Sequence, residues 1–235
     1  EKVFDHVRAG GGIGSTAAVN VEDYRTFFGA ARGSCDGIVH FTISSDMSSC
    51  YQNACIAAKE LDNVFIVDSR SLSTGIGHLV LDAAMMAEKG RSAEEIFRAM
   101  EEKKNKLDVS FVVDTLDYLR MGGRCGALAA LGANLLSLKP SIEVRDGAMG
   151  VGKKYRGMLQ KCLEKYVSDR LKDPSCVDGE RIFITDSGVP DAVYEAVRAR
   201  VLECVPFREV IHTRAGCTIS NHCGPNCLGI LFYRK

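Results

Sequence analysis

The sequence predicts an α/β protein of two domains, and three observations carry that prediction. Short β-branched and aromatic runs alternate with longer amphipathic stretches over roughly the first hundred residues. Near Leu107 this alternation gives way to a mixture of hairpin and crossover patterns. The 235 residues are enough for one large core or two small ones. The expected architecture is an N-terminal, mostly parallel, Rossmann-like sheet with helices on both faces over residues 1–107, then an α+β domain with a mixed sheet over residues 108–235.

The elements follow in chain order. Gly37 to Ile43 reads as a strand and Ser48 to Leu61 as a helix. Asn63 to Asp68 is almost wholly apolar, as in a parallel strand covered on both faces. Gly77 to Lys89 is a helix rich in Leu, Ala and Met, and Ser92-Ala93-Glu94-Glu95 matches a capping box opening a helix to about Asn105. A β-α-β-α order of this kind implies right-handed crossovers. In the second half, Val109 to Val113 reads as a strand and Leu116 to Met121 as a short helix stopped by Gly122-Gly123. Ala127 to Leu138 reads as an apolar helix ended by Lys139-Pro140. Ser141 to Val144, Asp146-Gly147 and Ala148 to Val151 form a strand-turn-strand signature. A helix over about Met158 to Lys172, a strand at Ile182 to Thr185, a helix over Pro190 to Leu202 and strands at Glu209 to His212 and Leu228 to Tyr233 complete the chain.

Composition narrows the function. Thirty Lys+Arg balance thirty Asp+Glu, which argues against broad nucleic-acid binding, since that requires an excess of cations to neutralise phosphates. Hydrophobic residues make up 46%, which excludes intrinsic disorder. No apolar run reaches the roughly 18 residues of a spanning helix, so no stable membrane insertion is expected. The start, Glu1 to His6, is charged and unlike a signal peptide. Ten scattered cysteines in a chain of this length read as free thiols filling core space in a reducing cytoplasm.

Several motifs invite chemistry. Gly10 to Thr16 resembles a phosphate-cradling loop, but it lacks the lysine of a P-loop and no strand leads into it. Cys223-Gly224-Pro225-Asn226-Cys227 is one residue too long for a thioredoxin motif and precedes a strand. Cys217, His222, Cys223 and Cys227 offer a compact set of zinc-type ligands. The hydroxyl-rich loop from Ser44 to Ser49 follows a strand and opens a helix, where an open α/β sheet gathers ligands. Ser44 or Ser45 can bind a carboxylate or phosphate there, or the loop serves only to cap the helix through Ser48. Asp68 to Ser73 follows the second strand in the same way and is expected beside it. Arg124 and Arg156 are candidate anion partners, and His222 lies in a loop before Gly224-Pro225. No Ser/His/Asp spacing or carboxylate pair forms a catalytic set.

Taken together, four separated stretches resemble the DegV family of fatty-acid-binding proteins. They are Ile43 to Gln52, Val67 to Gly77, Asp114 to Arg124 with Lys139-Pro140, and His222 to Gly229. The resemblance implies a two-domain fold holding one long-chain fatty acid in a tunnel between the domains. It implies a carrier rather than an enzyme, with no cofactor, that presents the acid's carboxylate to a separate fatty acid kinase for acyl-phosphate formation. By the same resemblance, Thr16 and the serines Ser44 and Ser45, Ser45 foremost, bind the carboxylate. Arg124, Arg156 and His222 lie at the head-group end and face the partner. Leu116, Leu119, Leu128, Leu131 and Leu135 are candidates for the tunnel wall.

The chain departs from the family pattern in places. Ser49 and Cys50 replace Gly-Thr, Ala17 to Val19 replace Ser-Gln-Pro, Cys223 and Asn226 replace Thr and Gly, and Asp186-Ser187-Gly188 stands where many members have His-Gly-Asp. It is also expected to begin inside a helix that follows the family's first strands, leaving a sheet edge unpaired. Two rival readings remain: a small phosphotransferase or nucleotide-binding enzyme on a Rossmann-like sheet, and a zinc or thiol module built on the C-terminal cysteines.

Overall fold

The computed structural model describes residues 2–123 and 138–235. In chain order the elements are α1 (Lys2–Arg8), α2 (Val21–Arg32), β1 (Ile38–Thr42), α3 (Cys50–Ala58), β2 (Val64–Asp68), α4 (Thr74–Glu88), α5 (Ala93–Lys103), β3 (Leu107–Val112), α6 (Asp117–Met121), β4 (Leu138–Arg145), β5 (Ala148–Arg156), α7 (Leu159–Arg170), β6 (Val177–Asp186), α8 (Asp191–Cys204), β7 (Glu209–Arg214), α9 (Cys217–Cys223) and β8 (Leu228–Arg234). They fall into two compact units. One comprises Ala17–Leu107 with the turn Asp146–Ala148, the other Glu1–Thr16, Asp108–Arg145 and Met149–Lys235. The sequence placed residues 1–16 with the N-terminal elements; their contacts group them with the C-terminal ones.

In the unit built on Ala17–Leu107, β1 and β2 pair in parallel from Ile38 opposite Val64 to Thr42 opposite Asp68. Side chains alternate across this ribbon. Ile38, Val64 and Ile66 turn to α2 and α3, where Tyr24, Phe28, Ala54 and Ala57 form a small core. Phe65 turns the other way and stacks on Phe97 of α5 at 5.4 Å. The small alanines of α3 let that helix approach closely, while Tyr24 and Phe28, one helical turn apart, stack at 5.5 Å. Asn20 caps α2 through the Asp23 N–H. Ser92 and Glu95 complete the expected capping box of α5. Among the described residues this sheet has two strands.

The other unit carries a six-stranded sheet in the order β5-β4-β3-β8-β6-β7. β3 runs antiparallel to β4, β6 antiparallel to β8 and parallel to β7, which is the mixed sheet expected. α7 and α8 supply Leu163, Tyr166, Val167, Val197 and Val201 to its core, against Ile182, Ile184, Ile230 and Phe232. Tyr166 is fully buried, and its hydroxyl donates to the Ser110 carbonyl at 2.7 Å and accepts from the Ile230 N–H at 3.2 Å. A buried phenol is tolerated because its polar tip is paired.

The helix read over Ala127 to Leu138 lies outside the described residues except for Leu138, which opens β4. Pro140, read as a helix terminator, sits inside that strand and its carbonyl accepts from the Val113 N–H. His222, read in a loop, occupies the last turn of α9, as does Cys223.

Candidate functional site

The Ser44–Asp46 loop leaves β1 and the Asp68–Ser73 loop leaves the neighbouring parallel strand β2, so both emerge at the same end of the sheet. The Ser45 N–H donates to Asp68 Oδ1 at 3.1 Å and its hydroxyl donates to Asp68 Oδ2 at 2.6 Å. The Arg70 N–H donates to the same Oδ1 at 3.1 Å, a two-residue turn closed by the carboxylate. Arg70 itself holds a left-handed φ of 50°, a conformation that costs energy for a residue with a side chain and that the surrounding bonds hold in place. Its guanidinium donates to both oxygens of Asp46, to Ser45 Oγ at 3.1 Å and to the Asp146 carbonyl. The hydrogen bond to Asp46 is the main cause raising the Arg70 pKa above its ordinary value.

Ser44 and Ser45 therefore differ. The Ser44 hydroxyl is buried and donates to the Gly147 carbonyl at 2.7 Å, which fixes the Asp146–Ala148 turn. Ser45 is exposed. Gly147 is required on two counts. Its φ is +82°, and a Cβ there would lie 2.4 Å from Arg70 Cζ.

A second hydroxyl is positioned in the other unit. Thr16 Oγ1 and His222 Nε2 lie 2.8 Å apart, joining residues that are 206 apart in sequence. Thr16 is half-buried. Asn221, the preceding residue of α9, donates to the Gly14 carbonyl at 2.5 Å and so ties the glycine-rich stretch to this helix. Gly122 leaves the space His222 occupies, since a Cβ there would lie 2.2 Å from Nδ1. The chain after α9 is pinned by Ser187, whose hydroxyl donates to the Gly224 carbonyl at 2.5 Å and accepts from the Cys227 N–H. Asp186, almost wholly buried, accepts from the N–H groups of Gly188 and Val189 and from His212.

The remaining sequence candidates divide. Arg156 is exposed at the end of β5 and has no hydrogen-bond or ion-pair partner among the described residues. Arg124, Leu128, Leu131 and Leu135 lie outside the described residues. Leu116 and Leu119 are buried. Cys223 and Cys227 are free thiols, and the hydrogen bond between them, with burial, raises the Cys227 pKa well above its ordinary value. That is the reverse of an activated redox thiol. Among the described residues no group of three or more His, Cys, Asp or Glu side chains is placed to hold a metal ion. A cavity of about 710 Å³ lies against Val39 and Phe41 of β1, Val80 and Ala84 of α4, and Ile96 of α5; none of the sequence candidates lines it.

The sequence singled out the Asp68–Ser73 loop as a neighbour of Ser45 but did not single out Asp68 and Arg70 as the groups that hold it. The signal was an acid and a base within three residues after a buried strand. It also missed the fit of Gly122 to His222, which no local pattern encodes.

Comparison with known proteins bears on what these loops do. The family model described as "Uncharacterised protein, DegV family" matches residues 1–235. The chain belongs to the DegV family. A DegV domain-containing protein of Caldanaerobacter subterraneus subsp. tengcongensis is 32% identical over 240 residues, covering 100% of this chain and 84% of that protein. A DegV family protein from Thermus thermophilus, whose structure is described as one of fatty acid binding, superposes with a TM-score of 0.89 at 28% identity, over 100% of this chain and 84% of that one. The Streptococcus pneumoniae Fatty Acid Kinase (Fak) B3 protein, loaded with linoleic acid, shares the fold with a TM-score of 0.86 at 19% identity, over 100% of this chain and 83% of that one. The DegV fold is thus an α/β fold with a small parallel sheet and a larger mixed one, as the sequence predicted.

Proposed function

We propose that this chain binds a single long-chain fatty acid and presents its carboxyl group to a separate fatty acid kinase in the cytoplasm, without carrying out chemistry itself. The observation that carries the reading is that two hydroxyls, Ser45 Oγ and Thr16 Oγ1, are each held by a directed hydrogen bond at the positions that resemble the family's head-group residues. The Thermus relative, described as fatty-acid-binding, and the linoleic-acid-loaded kinase component support it by analogy of fold. Among the described residues no helix is long and apolar enough to cross a membrane.

In this reading affinity and register come from different parts of the ligand. About fifteen buried methylenes supply roughly 12 kcal/mol at about 0.8 kcal/mol each. Lost translational freedom and the ordering of side chains subtract from that sum. The head group contributes orientation through hydroxyls, which avoid the desolvation cost of a dedicated buried cation. Ser45 and Thr16 hold the carboxyl group, Ser44 supports Ser45 from within the loop, and Arg124, Arg156 and His222 face the kinase.

Native mass spectrometry of the purified protein tests this directly. A bound C14–C18 acid is expected as added mass, and the double variant Ser45→Ala with Thr16→Ala is expected to lose it. A double variant that keeps its full complement of acid removes both hydroxyls from the head-group role. Arg156→Ala is expected to keep the acid and lower acyl-phosphate formation with the kinase; unchanged turnover removes Arg156 from the docking surface.

A further inference from the structure

A hydroxyl has one proton to donate and two lone pairs with which to accept. The Ser45 proton is committed to Asp68 Oδ2 at 2.6 Å, a short distance typical of a hydroxyl donating to a carboxylate. One lone pair accepts from Arg70 Nη1 at 3.1 Å. What Ser45 presents outward is therefore its second lone pair, an acceptor. An ionised carboxylate has only acceptors and cannot pair with it.

The surrounding charge points the same way. Two carboxylates, Asp46 and Asp68, and one guanidinium, Arg70, are bonded together around this oxygen. The Asp146 side chain adds further negative potential at Arg70. From α3, Tyr51 and Cys55 interact electrostatically with Asp68; both groups are ordinarily neutral near pH 7, and burial raises their pKa values further. The local balance is negative, which disfavours a second anion and favours a neutral donor.

We infer that Asp68 sets the polarity of Ser45 so that the loop receives the fatty acid as the neutral carboxylic acid, its O–H donating to Ser45 Oγ. The inference rests on the fatty-acid reading above and assigns Asp68 a positioning role within it. Asp68→Asn reverses the arrangement with little change of shape. The amide oxygen keeps the bonds from the Ser45 and Arg70 N–H groups. The amide nitrogen then donates to Ser45 Oγ and turns the serine proton outward, toward a carboxylate.

The test follows the carboxyl carbon of [1-13C]palmitic acid by NMR from pH 5 to pH 9 in complex with the full chain, since the carbonyl shift reports ionisation. An ordinary aqueous carboxyl titrates near about 4.3. The bound acid is expected to keep its proton to above pH 7, a more than hundredfold rise in proton affinity. In Asp68→Asn the midpoint is expected to fall by at least one pH unit, a tenfold loss. A bound resonance that is already that of a carboxylate at pH 6 in the wild type overturns the inference but leaves fatty-acid binding standing. A midpoint unchanged in a folded Asp68→Asn removes Asp68 from the role. No bound resonance at any pH overturns the fatty-acid reading itself. Should Asp68→Asn not fold, Asp46→Asn removes the second carboxylate and is expected to lower the midpoint by a smaller amount; an unchanged midpoint there overturns the charge argument.

Discussion

The two hydroxyls proposed to meet the ligand are held in opposite ways. Ser45 sits in a charged, fully bonded network in which an acid takes its proton and a base occupies a lone pair. Thr16 meets a single imidazole, which can donate or accept according to its tautomer. The first hydroxyl is an acceptor by construction, and the second adapts to what it meets. The two also depend on different kinds of glycine. Gly147 answers a backbone demand and a side-chain demand together, whereas Gly122 has an ordinary φ and only leaves room for a ring.

Gly147→Ala is expected to break the charged side hardest. The left-handed backbone alone costs about 1–3 kcal/mol for a residue with a Cβ. The new methyl also displaces Arg70 from Asp46 and Ser45. Thermal unfolding should show the loss of stability, and native mass spectrometry the loss of acid. A folded variant that retains both would show that Arg70 does not fix Ser45. Gly122→Ala is expected to cost less on the other side, about 1–3 kcal/mol through overpacking alone, because its φ is unstrained and the main clash is with His222, with the Tyr118 carbonyl at 3.1 Å giving slightly. Its signature is a changed His222 ring resonance in NMR with the Ser45 side untouched; an unperturbed His222 resonance would show that the ring does not occupy that space.

The contrast between these glycines also marks how far the sequence could be read. Elements with local signals were legible. Ser92 and Glu95 announced the cap of α5, and Asp146-Gly147 announced the turn between β4 and β5. The same dipeptide gave no sign that its carbonyls would bond Ser44 and Arg70, because contacts across 76 or 103 residues leave no local pattern. α2 was missed although Asn20, Asp23 and the Tyr24–Phe28 spacing encode a capped amphipathic helix. α9 was missed for a better reason. Its seven residues, Ile219 among six polar or small ones, show no period, and the helix is held by Ser187 and Asn221 contacts rather than by its own propensity. Ser45 and Thr16 were singled out by motif, but the fixed polarity of one and the adaptable polarity of the other depend on Asp68 and His222, which only the fold brings to them.

Thr16→Val sharpens the comparison from the adaptable side. The change keeps the shape and removes the hydroxyl, so the expected cost to the fold is the roughly 0.5–1.5 kcal/mol of one exposed-to-half-buried hydrogen bond. The effect on bound acid should be a faster release rather than an abolished one, because Ser45 still fixes the register. Complete loss of acid from Thr16→Val alone would reverse the ranking of the two hydroxyls.

The smallest expected effect separates the units by pH. His40 on β1 lies edge-on to Tyr24 and Phe28 at 5.3 and 5.2 Å, and burial lowers its pKa below the ordinary 6.5. The unfolded chain therefore takes up a proton that the folded one resists, so stability rises with pH across this window. It is fully present above 6.5 and is lost as the pH falls from there through the depressed folded value. His40→Leu removes the titrating group and keeps an apolar contact with the same rings. The urea midpoint should fall less between pH 7.5 and pH 5 in this variant than in the wild type, with the difference carried by the β1 and β2 amides in hydrogen exchange. Equal falls in both proteins would mean that His40 is solvated well enough to titrate freely, and that the aromatic face of this small sheet is not the acid-sensitive part of the molecule.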